Sequence, residues 1–586
     1  MTDGSPVSPA AAGHQQKRLR SAAWFEGDDF DSFFQRSMLK TEGLTDDSIN
    51  GRPVVGIANT WSELTNCNAH LRTLAEHVKR GVLLAGGLPL EFPVISLSEP
   101  LMKPTTMMYR NLLSMDVEEC IAAHPLDSVV LLAGCDKTQP GCLMGAASAD
   151  VPALMLTGGP MLNGHWRGRE LGSCSDCWHF YEQLRAGTLS REDWNDLEGS
   201  IARSHGHCMT MGTASTMACV TEALGMTLPG GAAIPADDSR RRAFAERTGR
   251  RAVELAREGL RPSQILTPHA FHNAIRVTHA LGGSTNALIH LIALARRVDV
   301  PLGLEHFDEL SESTPWMVNV KPSGDRLMEA FYFAGGVPAL MSELQELLEL
   351  GAMTVTGDTV KENLRTAAVL DREVIASLKE PLSPTGGLIV LKGTLSPDGS
   401  VLKRTACDPR LLSHEGAAVV FDGIDDLARR IDDPELEVDP DSVLVLRNGG
   451  PRGAPGMPEW GALPIPRKLL RAGVRDLVRI SDARMSGTSY GAIVLHVAPE
   501  SAVGGPLALV QDGDRIRLDA ANRRLDLLVE DRELAQRREH WHPPATRERR
   551  GYRMLFHDHV LQANEGCDFD FLRGSSPAVE EARTYG

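Results

Sequence analysis

Gly134-Cys-Asp-Lys-Thr-Gln-Pro-Gly141 sets a thiol, a carboxylate and an amine in three consecutive residues, Cys135, Asp136 and Lys137. Two further cysteines lie in comparable stretches. Cys67 closes Thr60-Trp-Ser-Glu-Leu-Thr-Asn-Cys67, and Cys208 sits in the small, polar, Gly-broken run Ser204-His-Gly-His-Cys-Met-Thr-Met-Gly-Thr-Ala-Ser-Thr216. Soft thiolates converging from separate loops suit zinc or an iron-sulfur cluster. Three of them, rather than four, leave a coordination position for a substrate oxygen, as Lewis-acid catalysis requires. A second, hard set comprises Glu99, Asp136 and Glu459, the last in Gly453-Ala-Pro-Gly-Met-Pro-Glu-Trp460. Oxygen-only ligation of this kind suits Mg²⁺. Lys137 is anomalous beside a cation: either it turns away into an ion pair, or its amine is carried as a carbamate that adds another oxygen ligand.

Ser481-Asp-Ala-Arg-Met-Ser-Gly-Thr-Ser-Tyr-Gly491 offers Ser486, without a histidine base in the motif and without GxSxG spacing, which disfavours a hydrolase triad. Cys174-Ser-Asp-Cys177 looks like half a zinc knuckle, but no second CxxC or HxxxH lies near it. Cys120, Cys142, Cys219, Cys407 and Cys567 read as core or surface thiols. His205 and His207 flank Cys208, and a structural role for them is as open as a ligand role.

The elements that must position these groups follow a repeated β-α pattern. Asp127-Ser-Val-Val-Leu-Leu-Ala133 predicts a strand buried on both faces of a parallel sheet. Ligands gather at the carboxyl ends of such strands. Pro53–Asn59 predicts another strand, and Asn68–Ala85 a helix with Leu71, Leu74, Val78 and Val82 on one face, which puts Cys67 at a strand-to-helix turn. Phe92–Leu97 predicts a strand delivering Glu99; a helix over about Thr105–Ala122 and a strand at Pro152–Thr157 continue the series. The expectation is an α/β fold: an N-terminal parallel-sheet domain with helices on both faces. Residues 240–350 are helical in pattern, including Asn286–Ala295 behind Gly282-Gly-Ser-Thr285.

From about Pro381 the texture changes to short strands at Gly387–Gly393, Ala417–Phe421, Ser442–Leu446, Leu477–Ile480 and Leu507–Val510, with Asp-Gly turns at 398–399, 422–423 and 512–513. This predicts a β-rich, barrel-like C-terminal domain. The division expected is a flexible tail over 1–20, an α/β domain carrying the thiols and most oxygen donors over 21–380, and a barrel-like domain carrying Ser486 over 381–586.

Composition excludes several functions. The 586 residues are 42% hydrophobic and 24% charged with a formal net charge of -16, so a nucleic-acid partner is not expected. The basic patches Arg240-Arg-Arg242 and Arg547-Glu-Arg-Arg550 are short. No apolar run reaches the roughly 18 residues of a membrane helix, and the N-terminal residues lack a signal-peptide core. A cytoplasmic protein with no membrane partner is expected. Ten cysteines are too few for a disulfide scaffold in a chain this long.

Taken together, Thr65-Asn-Cys-Asn-Ala-His70, Gly134-Cys-Asp-Lys-Thr138, Gly206-His-Cys-Met-Thr-Met-Gly-Thr-Ala-Ser-Thr216, Gly282-Gly-Ser-Thr-Asn286, Gly456-Met-Pro-Glu459 and Asp482-Ala-Arg-Met-Ser-Gly487 resemble the dihydroxy-acid and sugar-acid dehydratases, from about residue 20 to the end. Ser21-Ala-Ala-Trp-Phe25, Glu91–Glu99, Gly158–Gly164 and His559–Phe571 are similar to the arabinonate and xylonate branch. The resemblance implies a hydro-lyase that dehydrates an aldonate at C2 and C3 to a 2-keto-3-deoxy acid. The alternative within the family is a 2,3-dihydroxy-acid dehydratase of branched-chain amino-acid biosynthesis. Outside it, a non-enzymatic iron-sulfur redox protein or a zinc hydrolase would use some of the same residues.

By position, the resemblance implies that Cys67, Cys135 and Cys208 hold a cluster, of the [2Fe-2S] type because Cys67 is present. It places Glu99, Asp136, carbamylated Lys137 and Glu459 around Mg²⁺, makes Ser486 the base as its alkoxide, and sets Thr488 near the substrate. It further implies a homo-oligomer, usually a dimer of dimers, with the barrel closing the site.

Overall fold

The computed structural model describes residues 18–545 and 548–575. Most of the expected tail and Arg547 of the basic patch lie outside the described residues. The N-terminal half is built on a four-stranded sheet of β1 (Val54–Asn59), β2 (Leu88–Pro93), β3 (Ser128–Ala133) and β4 (Ala153–Thr157), ordered β2-β1-β3-β4 and parallel throughout. β1, β3 and β4 are buried along their whole length, as unbroken Val, Leu and Ile runs require.

Parallel crossovers are right-handed. The chain steps one way from β1 to β2 and the other way from β2 to β3 and β4, so successive crossover helices cover opposite faces. Helix Leu71–Leu84 packs with Ser239–Glu258 on one side; Met107–Ala123 packs with Thr138–Ala149 on the other. Within each pair the backbones nearly touch at glycines. A Cβ on Gly81 would fall 2.0 Å from the Glu246 carbonyl oxygen, and one on Gly145 would fall 2.5 Å from that of Ser114. Because the connections leave β1 and β3 in opposite directions, a crevice opens between the carboxyl ends of these neighbours.

The hairpin β5 (Gly164–Trp166) and β6 (Arg169–Leu171) precedes a mostly helical stretch. The C-terminal half is an eight-stranded sheet of β7 (Leu388–Leu391), β8 (Gly399–Lys403), β9 (Ser413–Asp422), β10 (Val443–Arg447), β11 (Arg479–Ser481), β12 (Ile493–Ala498), β13 (Arg515–Asp519) and β14 (Arg524–Leu527). Its order is β14-β13-β9-β10-β11-β12-β8-β7. The two ends meet: Lys392 N–H donates to the Arg523 carbonyl at 2.9 Å and Leu525 N–H to the Lys392 carbonyl at 3.1 Å, which nearly closes a barrel. Side chains alternate as the pleat demands. Ala418, Val420, Val443 and Val445 fill the interior, while Val419, Phe421, Leu444 and Leu446 pack outside against helices Ile424–Arg430 and Arg467–Arg471.

Three expectations need correcting. β2 runs Leu88–Pro93 rather than Phe92–Leu97, because β1 ends at Asn59 opposite Pro93 and offers no ladder beyond it. Leu507–Val510 is not a strand; Pro506 opens a 3₁₀ turn over Pro506–Leu509. Asp422-Gly423 leads into a helix rather than a hairpin. Six strands went unanticipated: β5 and β6 of the hairpin, and β8, β12, β13 and β14 of the barrel.

The final segment straps the halves together. Phe556, Val560, Cys567 and Phe569 pack on Met107, Met108 and Met457. Arg110 donates to the carbonyls of Gly566 and Cys567 at 2.9 Å each, and Arg297 forms a fully buried ion pair with Asp568 at 2.8 Å.

On β8, the Lys403 amine is buried with no hydrogen-bond partner among the described residues, and burial pushes it down from 10.5 to about 7. The unfolded chain therefore holds a proton between those values that the folded chain has released, so this group makes stability rise with pH across that window. Below about pH 7 both states are charged and the burial penalty is complete. Lys403→Met should raise Tm at pH 7 by removing a penalty on the order of a few kcal/mol, with a smaller gain at pH 10. Thermal unfolding of both proteins at the two pH values checks this; an unchanged Tm at pH 7 would refute it.

Candidate active site

Cys67 lies in the loop after β1 and Cys135 in the loop after β3, at the two lips of the crevice. Asn68 ties the lips together. Its Oδ1 accepts from Gly134 N–H at 3.0 Å and Cys135 N–H at 3.1 Å, while its Nδ2 donates to the Thr60 carbonyl at 3.1 Å. Gly134 is needed there, since a Cβ would fall 2.3 Å from the Cys67 carbonyl oxygen. Hydrogen bonding to Cys135, then burial, then the charges of Cys135, Cys208 and Asp136 push the Cys67 thiol well up. Cys208 comes from the loop ahead of helix Thr213–Ala223. The three expected thiols thus share one neighbourhood.

A fourth joins them. Cys174 Sγ stands 3.5 Å from Cys208 Sγ. The hydrogen bond from Cys174 draws the Cys208 thiol down, and the same contact drives Cys174 well up. The neighbouring histidines turn to the backbone. His207 Nδ1 lies 3.1 Å from the Cys208 carbonyl, and His70 Nε2 lies 2.8 Å from that of Gly158.

The oxygen donors converge beside the thiols. Lys137, fully buried, points into them rather than away: its Nζ is 2.6 Å from Asp136 Oδ2 and 3.6 Å from both Glu99 Oε2 and Glu459 Oε1. Among the described residues, no three His, Cys, Asp or Glu side chains close to metal-holding distance around a common point. The carboxylates close around the ammonium instead, which shows that their geometry suits one shared cation. Arg484 is a second buried cation, donating to Glu459 Oε1 and Thr105 Oγ1 at 3.0 Å each and to the Met457 carbonyl at 2.8 Å. Burial opposes the charge of Glu99, yet Lys137, Arg484 and hydrogen bonds from Thr105 and Thr106 outweigh it and hold Glu99 at about 2. At Glu459 burial prevails over the same cations and raises it.

The barrel supplies the facing wall. β10 and β11 are parallel neighbours, so the loops after them emerge at one edge, bringing Glu459 and the Ser486 loop together. Asp482, buried, braces that edge by accepting from Gly449 N–H at 2.8 Å and Ser501 N–H at 2.9 Å. Ser486 Oγ has Thr488 Oγ1 as its neighbour at 2.8 Å, and no histidine among the described residues hydrogen-bonds to it. Asn286 fixes the loop from the other half, donating to the Met485 carbonyl at 3.0 Å and to Thr213 Oγ1 at 2.9 Å.

All nine expected site residues therefore lie where the two halves meet. Arg484, Asn286, Asn68, Thr105 and Thr106 carried no assignment from the sequence, although the first three stood in the motifs that carry the family resemblance. Cys174 was signalled only by the CxxC spacing, which pointed to zinc.

Comparison with known proteins agrees over both halves. A family model described as dihydroxy-acid/6-phosphogluconate dehydratase N-terminal matches residues 52–363, and its C-terminal counterpart matches residues 373–567. An L-arabonate dehydratase of Azospirillum brasilense is 53% identical over 97% of this chain and 99% of its own length. A 6-deoxy-6-sulfo-D-gluconate dehydratase of Pseudomonas putida is 49% identical, over 96% and 98%. A dihydroxy-acid dehydratase of Ignicoccus hospitalis is 42% identical, over 92% and 97%.

Removing one member of the buried ionic group should be costly. Arg484→Met leaves Glu459 short of a cation and should destabilise by roughly 3–5 kcal/mol. The loss should shrink as pH falls, because protonated Glu459, already raised, no longer needs that cation. Denaturant unfolding at pH 7.5 and 5.5 measures both; equal losses at the two pH values would count against the electrostatic account.

Proposed function

Since the chain belongs to the dihydroxy-acid/6-phosphogluconate dehydratase family and is accordingly a hydro-lyase, we propose that it dehydrates a sugar acid, an aldonate such as L-arabinonate or D-xylonate, at C2 and C3 to a 2-keto-3-deoxy acid. The observation that carries this reading is the convergence of thiols, carboxylates and a serine hydroxyl where the two halves meet. The higher identity to the arabonate dehydratase than to the dihydroxy-acid dehydratase favours the sugar-acid branch, and the latter supports 2,3-dihydroxy acids as the second reading.

The donor sets fit both expected cofactors. Cys67, Cys135 and Cys208 would hold a [2Fe-2S] cluster; Glu99, Asp136, Glu459 and Lys137 as its carbamate would hold Mg²⁺. When bound, these centres supply Lewis acidity to the substrate's carboxylate and hydroxyls. A carbamate at Lys137 would suit the site once a divalent ion is bound there. Three carboxylates face two cations, Lys137 and Arg484, and the Lys137 ammonium stands at their common point. Converting it to a carbamate removes a positive charge and adds oxygen donors for a divalent ion.

Ser486 Oγ takes the proton from C2, the C3 hydroxyl departs as water with one further proton, and the enol gains a proton at C3 on tautomerising. Serine is a weak base at its ordinary pKa. The hydrogen bond between Thr488 Oγ1 and Ser486 Oγ at 2.8 Å orients the serine, and once Ser486 is deprotonated Thr488 must be its donor and stabilises it. A homo-oligomer, a dimer of dimers, remains the assembly proposed. Helix Phe30–Lys40 supports it by exposing Phe30, Phe33, Phe34 and Met38 together.

Anaerobically purified protein with Mg²⁺ should turn over pentonates in preference to 2,3-dihydroxyisovalerate, read as the semicarbazone of the 2-keto product; the opposite preference would move it to the second reading. Ser486→Ala should lower kcat by at least about 10²–10⁴-fold, the usual worth of a positioned base, while visible absorbance persists. Comparable turnover in that variant would remove Ser486 from its role.

A further inference from the structure

We propose that Cys174 is a fourth thiolate ligand of the iron-sulfur cluster in the substrate-free enzyme, closing the iron position that the substrate's hydroxyl later takes. The proposal rests on the cluster assignment above. Its first support is the pairing of the thiols: Cys67 and Cys135 stand on the facing lips of the crevice, close enough to act on each other's charge, and Cys174 Sγ lies 3.5 Å from Cys208 Sγ. A [2Fe-2S] centre held by four cysteines needs two thiolates on each iron. With metal-sulfur bonds of about 2.3 Å, two thiolates on one tetrahedral ion stand about 3.8 Å apart. The Cys174–Cys208 separation is close to that value, so small side-chain rotations suffice.

The second support is how Cys174 is held. Its φ of 64° and ψ of -53° are those of a classic γ-turn, closed by Ser175 N–H donating to the Ser173 carbonyl at 2.8 Å. This turn is rare and strained for a residue with a Cβ. The surroundings enforce it. Ser173 N–H donates to Met209 Sδ at 2.8 Å, one residue from Cys208, and Asp176 is locked by Lys321 Nζ at 2.8 Å. Ser175 Oγ donates to the Thr488 carbonyl at 2.9 Å, joining the turn to the loop that carries Ser486.

The exchange balances without electron transfer. The Cys174 thiol gives its proton to solvent as the Fe–S bond forms. When a substrate hydroxyl takes the position, that bond breaks and the thiolate regains a proton. Between turnovers the cap would shield the iron from oxygen.

The test is ⁵⁷Fe Mössbauer spectroscopy of anaerobically reconstituted holoprotein, with Cys174→Ser, Cys174→Gly and, as control, Cys177→Ser. Glycine suits the positive φ and guards against misfolding. Without substrate, the wild type and Cys177→Ser should show two all-thiolate irons, and both Cys174 variants one iron with the larger isomer shift of oxygen ligation. L-arabinonate should convert the wild-type spectrum toward that of the variants. In air, absorbance of the Cys174 variants should bleach several-fold faster. Superimposable substrate-free spectra of wild type and both Cys174 variants would overturn the proposal, as would a Cys174–Cys208 disulfide in the reconstituted protein. Failure of the wild type to bind any cluster would instead overturn the assignment on which it rests.

Discussion

Burying an ammonium without exposure to water is affordable only when carboxylates surround it. Lys137 meets that condition with Asp136 beside it, Glu99 from the loop beyond β2 and Glu459 from the barrel. No single segment of the chain could satisfy it, so the two halves must close on each other for the charge to be tolerated. Arg484 repeats the demand from the barrel side, reaching Glu459 and Thr105. The joint between the halves and the candidate site are therefore one object, held by electrostatics that either half alone would lack.

Topology decides what is brought to that joint. β1 and β3 are adjacent and parallel, and their connections depart to opposite faces, so the loops bearing Cys67 and Cys135 face each other across the crevice. The barrel does the same with β10 and β11, whose following loops bear Glu459 and Ser486. Small residues permit the closeness: Gly134 lets one lip lie on the other, and a Cβ on Gly487 would fall 2.6 Å from both Ser284 Oγ and Thr213 N.

Much of this was legible in the sequence, for identifiable reasons. The runs at 54–59 and 128–133 are apolar except for Asn59 and Ser128 at their ends, and they are buried at every position, as only a strand covered on both faces is. Motif order then located the thiols and carboxylates on the tips. Strands such as Gly399-Ser-Val-Leu-Lys403 were missed because glycine, serine and lysine weaken the apolar signal. Leu507–Val510 was misread because a short apolar run does not reveal its period. Cys174 was undervalued because a γ-turn has no sequence signature and its partner thiol lies 34 residues away.

The buried pair of Arg297 with Asp568 bears on the timing of assembly. During synthesis the N-terminal sheet emerges first and can fold as a unit, so Cys67 and Cys135 face each other while the barrel is still unmade. Glu459, Ser486 and finally Asp568 leave the ribosome later. The segment around Asp568 therefore acts as a late latch: until it has left the ribosome, the charges gathered at the crevice lack the contact that fastens the two halves over them.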